Sequence, residues 1–213
     1  VAVGERELVA RDAVIVATGS GPSMPPIEGL AEAGAWSNRE ITTATRPPAS
    51  LIVLGGGVVG VEMAQAWSSL GTAVTVVEGE DSLLATEEPF VGKQVRASLE
   101  SAGVRILTGE RAVAAGREDD GGLTLELESG TRLEGERLVV AVGRRAHVSG
   151  IGLESVGVSA EGPIEVDDRL RVAGREWLYA IGDVNGRAQL THEGKYHARV
   201  AAANVLGEDV VAR

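Results

Sequence analysis

Three glycines in the stretch LIVLGGGVVGVEMAQAW stand at the spacing G-x-G-x-x-G: Gly55, Gly57 and Gly60, between an apolar run and a helix-like pattern. Each has a separate physical task in such a loop. The first permits a tight turn, the second lets backbone approach a pyrophosphate with no Cβ in the way, and the third lets helix and strand pack closely. Gly56, Val58 and Val59 complete the loop, and the helix that follows would aim unpaired N–H groups and the favourable end of its dipole at phosphates. The next apolar run, AVTVVE, ends at Glu78, where a carboxylate can accept both hydroxyls of an adenosine ribose and repel a 2′-phosphate. No Arg occurs in VVEGEDSLL to offset that repulsion, so the pattern favours NAD over NADP. The structural alternatives are a packing turn for the glycines and a solvated strand-end residue for Glu78. Glu62, placed in the first turn of the helix inside an apolar stretch, reads either as a dipole-stabilising acid or as a group with a role near a redox centre.

Such a loop works only if flanking elements hold it. LIVLG reads as a buried strand, followed by a helix from about Val58 to Leu70, the strand AVTVVE, a helix from about Pro89 to Ala102 and the strand VRIL. This alternation is the signature of a Rossmann-like, doubly wound parallel sheet in an α/β fold. LTLELESGTRLEG alternates Leu123, Leu125 and Leu127 with polar residues across Ser129 and Gly130, which predicts a β-hairpin, and LVVAVG leads back to the sheet. Before this domain, Ala13 to Ala17 reads as a strand covered on both sides, and the prolines of GPSMPPIEGL and ITTATRPPAS predict extended connectors, with a domain boundary near residue 48. After Gly143 the chain turns glycine-rich, with a short strand near Ile164 to Val166, the strand WLYAIGD and a helix from about His192 to Leu206. The organisation expected is therefore residues 49–143 as one domain, with residues 1–48 and 144–213 as a second lobe split around it.

Composition narrows the function. The chain has 213 residues and a net charge of −11, with no visible basic patch, which argues against a nucleic acid or an anionic membrane surface as partner. There is no cysteine, so this chain carries no disulfide framework, no thiolate metal site and no cysteine-based redox step, and no metal site is expected. The longest apolar stretch, Leu51 to Ala66, is interrupted by Glu62 and rich in glycine, unlike a membrane span. Nothing at the N-terminus resembles a targeting signal, and a cytoplasmic location is expected. The start at Val1, directly in a strand-like pattern, is expected of a fragment.

Taken together in order, VIVATGS, LGGGVVGVE, VTVVEG, VAVGRR, LYAIGDV and LTHEGKYHARVAA resemble the pyridine nucleotide-disulfide oxidoreductases, most closely the dihydrolipoamide dehydrogenase and mercuric reductase branch. The resemblance implies an FAD domain interrupted by an inserted NAD domain, a C-terminal dimerisation domain, and hydride passing from nicotinamide to flavin. It implies that Gly55 to Glu62 form the nicotinamide dinucleotide loop, that Glu78 binds ribose, and that Ala112 and Gly143 line the same nucleotide. It further implies that Thr18, Gly19 and Ser20 touch FAD, that Asp183 bonds the flavin's sugar-alcohol chain, and that Gln189, Leu190, Thr191 and His192 lie beside the isoalloxazine. Glu62 would match a glutamate that pairs with a lysine near the flavin.

The departures from that family pattern are specific. No second G-x-G-x-x-G occurs to hold the FAD pyrophosphate, since GIGLESVG has the wrong spacing, and the redox cysteine pair, the lysine partner of Glu62 and the C-terminal catalytic His and Glu are absent from this sequence. His147, His192 and His197 read as solvated or capping residues. No catalytic residue is expected in this chain. The reading is the NAD(H)-binding portion of an FAD-dependent oxidoreductase whose homodimer would form through a C-terminal domain absent here, against the alternative of a stand-alone, non-catalytic NAD-binding module.

Overall fold

A computed structural model describes residues 1–119 and 121–213. The chain divides into two compact units, one of Val1–Gly21 with Arg144–Arg213 and the other of Pro22–Gly143. In chain order the first unit opens with the strands β1 (Ala2–Val3), β2 (Arg6–Glu7), β3 (Val14–Val16) and β4 (Ser20–Pro22). The second contains α1 (Leu30–Ala33), α2 (Asn38–Thr43), β5 (Ser50–Leu54), α3 (Val58–Ser69), β6 (Ala73–Glu78), α4 (Pro89–Ser101), β7 (Arg105–Thr108), β8 (Ala112–Arg117), β9 (Leu123–Leu127), β10 (Arg132–Gly135) and β11 (Arg137–Val140). The first unit then resumes with β12 (Arg144–Ala146), β13 (Leu178–Ala180) and α5 (Thr191–Val205).

The unit of Pro22–Gly143 is built on a parallel four-stranded sheet in the order β11-β5-β6-β7. Alternation along β5 sorts its side chains onto two faces. Leu51 and Val53 join Ala64 and Trp67 of α3 and Leu99 of α4 in one core, while Ile52 and Leu54 join Leu123, Leu125, Leu127 and Leu133 in another. Helices cover the first face. The second is covered by a three-stranded antiparallel sheet, β10-β9-β8, beside the one-turn helix α1, so this face has a sheet layer where the doubly wound expectation has a layer of long helices. The reason lies in the period: Leu123, Leu125 and Leu127 alternate at two and are 2% exposed or less, an apolar strand face that covers a sheet as well as a helix does. At about 1.5–3 kcal/mol for each fully buried large apolar side chain, this second layer is a major part of the unit's stability.

Residues 22–48, read from the sequence as part of the flanking lobe, pack within this unit. Leu30 and Ala33 are 1% exposed, and Trp36 exchanges backbone hydrogen bonds with β11, donating to Leu138 O at 2.7 Å and accepting from Val140 N at 2.8 Å. The expected linker at 41–50 begins inside α2, a helix started by a capping box in which the Ser37 side chain accepts from Arg39 N–H and Glu40 reaches back to Ser37 N–H.

In the other unit, β3 and β13 form a parallel pair and β4 pairs with β12. Val16 and its neighbours pack against Ala146, Val148, Leu178 and Ala180. The run Ala13 to Ala17, expected to be covered on both sides, is covered unevenly: Val14 and Val16 face this cluster, Ala13 packs against a second one around Tyr179 and Val200, and Ile15 is left 43% exposed. The strand expected at Ile164 to Val166 is a single bridge, Val166 to Val172. Among the described residues no helix is long and apolar enough to cross a membrane.

Candidate functional site

The glycine loop joins the C-terminal end of β5 to the start of α3. Gly55 has φ 110°, a left-handed value that favours glycine, and a Cβ there would lie 2.5 Å from Ala141 O, so the segment after β11 runs directly beside it. Gly60, inside α3, would place a Cβ 1.9 Å from Gly55 O. The helix therefore sits closer to the loop than any side chain permits. Gly57 differs from both: its conformation is extended, and a Cβ would meet nothing within 4 Å. It borders open space. The helix's first backbone bond is Val61 N–H to Gly57 O, and no side chain caps the end, which leaves the N–H groups of Gly57, Val58, Val59 and Gly60 ahead of the ladder. Open space next to uncapped N–H groups has the polarity and shape that an anionic phosphate requires.

Glu78, half-buried at the end of β6, stands against this loop. Its Oε2 accepts from Gly56 N–H at 2.5 Å and its Oε1 accepts from Glu80 N–H at 2.8 Å. Both carboxylate oxygens are thus aimed by backbone donors, with further lone pairs available for ligand hydroxyls. Gly56 is confined from below, since a Cβ would meet Leu83 Cδ2 at 2.6 Å and Glu78 Oε2 at 3.0 Å. Leu83, 1% exposed, is a residue that sequence reasoning passed over, although an apolar pair in the polar run EGEDSLLATEE was its signal. Leu84 N–H also donates to Gly56 O at 3.0 Å, and Gly92 of α4 packs against Leu83 O, where a Cβ would come within 2.3 Å. The turn after β6 is therefore the floor of the loop.

Other expected nucleotide residues fall at the edges of this site. Gly143, with φ 126°, accepts from Ser23 N–H through its carbonyl at 2.9 Å, and Ala112 opens β8 and packs into the second core. Glu62 corrects the sequence reading. It is the fifth residue of α3 and not in the first turn, and it is exposed, because Gly60, Ala64 and Trp67 define the buried face. No burial cost attaches to it, and among the described residues it has no ion pair.

The first unit brings a second group of expected residues together. The parallel pair β3 and β13 carries Ser20 and Asp183 past the same ends of the two strands, extended by Ile181 N–H to Val16 O at 3.0 Å. Ser20 Oγ donates to Asp183 Oδ2 at 2.5 Å. Arg144, missed from the sequence, donates from Nε to Ser20 Oγ at 2.7 Å and from Nη2 to Ser20 O at 2.8 Å, and lies 3.8 Å from Asp183 Oδ2. Thr18 and Gly19 are tied to His147: Thr18 Oγ1 donates to His147 O at 2.6 Å, and His147 N–H donates to Gly19 O at 2.9 Å. Gln189, Leu190, Thr191 and His192 form the exposed start of α5, where no side chain caps the helix.

His197, expected as a solvated or capping residue, is not solvated. It is 3% exposed, and its Nδ1 accepts from Gly182 N–H at 3.2 Å, next to Asp183. Burial lowers its pKa below the ordinary histidine value, with the Arg187 charge acting the same way and Glu193 opposing. The sequence signal was its place on α5: Val200 and Ala201, at i+3 and i+4, are buried on the same face.

The whole is a mixed α/β fold with a parallel sheet, and it has close counterparts among known proteins. Residues 1–198 match the pyridine nucleotide-disulphide oxidoreductase family. The chain is similar to a mercuric reductase of Shewanella putrefaciens, with 34% identity over 208 residues covering 96% of this chain and 36% of that protein. It is also similar to a dihydrolipoyl dehydrogenase of Haloferax volcanii, with 36% identity over 210 residues covering 96% of this chain and 44% of that protein. Among solved structures, LpdA from Mycobacterium tuberculosis aligns with a TM-score of 0.85 and 31% identity over 95% of this chain and 44% of its own. The Cu(II) complex of the HOCl-induced flavoprotein disulfide reductase RclA from Escherichia coli aligns with a TM-score of 0.86 and 25% identity over 94% of this chain and 46% of its own. The chain spans less than half the length of these relatives. With the family matched over nearly its full extent, the chain belongs to the pyridine nucleotide-disulphide oxidoreductases.

Proposed function

We propose that this chain is the NAD(H)-binding portion, with two parts of the flavin domain, of an FAD-dependent oxidoreductase that passes hydride from NADH to flavin and on to a disulfide or other acceptor. The observation that carries the reading is the glycine loop: open space at Gly57, uncapped N–H groups at the start of α3, and the Glu78 carboxylate aimed beside them. The loop fits a dinucleotide pyrophosphate, which the N–H groups of Gly57 to Gly60 would hold while Glu78 accepted the ribose hydroxyls. Oriented hydrogen bonds of this kind fix the adenosine half, so that the position of the nicotinamide is set by the far end of the same molecule. NAD is favoured over NADP by the Glu78 charge.

The flavin half fits in part. Ser20 and Asp183 supply polar groups for a sugar-alcohol chain, Arg144 orders them, and the uncapped start of α5 with Gln189 to His192 offers N–H groups to a polar ring edge. A glycine cradle for the FAD pyrophosphate is absent from the sequence. When bound, flavin supplies the two-electron acceptor for hydride. The dimer that the family resemblance implies belongs to the whole protein in this proposal. The test is binding by the purified chain: NADH should bind with one site per chain, and at about 100 times its dissociation constant should raise stability by about 2.7 kcal/mol. FAD should not co-purify. A chain that carries stoichiometric FAD, or one that leaves NADH unbound, refutes the assignment.

A further inference from the structure

The Glu78 end of β6 carries a positive charge that its own stretch of sequence lacks. Strand β7 pairs Thr108 with Glu78, and two backbone bonds extend the contact past the strand ends, Glu110 N–H to Glu78 O at 3.0 Å and Gly109 N–H to Glu80 O at 2.8 Å. These bonds fix the next residue, Arg111, against Gly79. A Cβ on Gly79 would lie 3.6 Å from Arg111 Cγ and 3.9 Å from its Nε, so the side chain crosses directly over the residue that follows Glu78. Arg111 is exposed, and among the described residues its guanidinium makes no hydrogen bond and no ion pair. Arg96, the other guanidinium near this strand end, is committed to Glu100 and Thr108. The Glu78 carboxylate, for its part, is occupied with Gly56 N–H and Glu80 N–H and forms no ion pair with Arg111.

We propose that Arg111 is a specificity-determining residue on the 2′ side of the adenosine site, where its unpaired guanidinium offsets the repulsion that Glu78 exerts on a 2′-phosphate. This rests on the nicotinamide dinucleotide reading of the glycine loop. A guanidinium is weakly hydrated and offers several donors to phosphate oxygens, while a ribose bearing a free 2′-hydroxyl gains little from it beyond what the carboxylate already supplies. The site therefore prefers NADH through Glu78 and retains NADPH as a weaker ligand through Arg111. Glu80 and Glu110 flank the same strand end, so the attraction acts at short range and weakens with salt.

The experiment titrates the full chain with NADH and with NADPH, as wild type and as Arg111→Ala, at low and moderate ionic strength. Arg111→Ala should leave NADH affinity nearly unchanged and weaken NADPH about fivefold, the upper range for an exposed ion pair, with a shallower salt dependence. Arg111→Lys should recover part of the loss. If wild type binds NADH and the NADH to NADPH affinity ratio is the same in Arg111→Ala, the role of Arg111 is overturned while the nucleotide site stands. If wild type binds neither nucleotide, the reading of the loop falls and this inference falls with it.

Discussion

Substituting alanine at two glycines three residues apart should give opposite phenotypes. At Gly60 the added Cβ would lie 1.9 Å from Gly55 O, where contacts below 3.0 Å essentially never occur, so α3 must move off the loop by more than an ångström. Overpacking of this kind costs about 1–3 kcal/mol, and here the obstacle is backbone, which cannot swing aside as a side chain would. At Gly57 the Cβ enters open space at φ −73° and ψ −175°, a conformation that alanine adopts without strain. Alanine is a poorer N-cap than glycine but loses less chain entropy on folding, and these opposed effects leave the net change within about 1 kcal/mol. The methyl group would, however, stand where a pyrophosphate must approach. Losing one backbone bond to a charged group removes about 1.5–3 kcal/mol, or about tenfold to a hundredfold in NADH affinity. Urea melts and NADH titrations of both variants are the assay. Undiminished NADH binding by Gly57→Ala would show that no phosphate sits at this loop, and unchanged stability of Gly60→Ala would show that the close approach of helix and strand is not as described.

Glu78→Ala should weaken NADH binding by about 1.5–3 kcal/mol, because a charged acceptor is lost, and should weaken NADPH less; it should also loosen the loop, since Gly56 N–H and Glu80 N–H lose their acceptor. Titration of both nucleotides against wild type checks this, and an unchanged affinity ratio would leave Glu78 as a loop brace only. For His197, burial lowers the folded pKa, so the fold prefers the neutral ring. The unfolded chain takes up the proton near pH 6.5, so this contribution to stability is complete above about pH 6.5 and is lost as pH falls through the window down to the lowered folded value. Stability of wild type should therefore rise with pH across that window more steeply than that of His197→Gln, and parallel pH profiles in chemical denaturation would refute the assignment of a buried neutral ring.

The family, the parallel sheet and the order of strand, glycine loop and helix were legible in the chain because they are local: a period of two or of four residues, a glycine where φ must be positive, a carboxylate at a strand end. Leu51 and Val53 against Ile52 and Leu54 announce a strand buried on both faces before any fold is known. What covers the second face was decided by tertiary packing, because an apolar strand face and an apolar helix stripe satisfy a sheet equally well, and here β8 to β10 supply it together with α1. The attachment of residues 22–48 to the same unit was equally hidden, since Trp36 reaches β11 through backbone bonds, which leave no mark on side-chain pattern. At the sites, the glycines and Glu78 could be named from spacing, but their supports could not. Leu83 beneath Gly56, Arg111 over Gly79 and Arg144 bridging Ser20 to Asp183 come from segments distant in the chain or from turns without periodicity, and the helical period of α5 marks the buried face of His197 but not its partner Gly182. Their positions follow from how strands pair and helices dock, and only the three-dimensional packing specifies that.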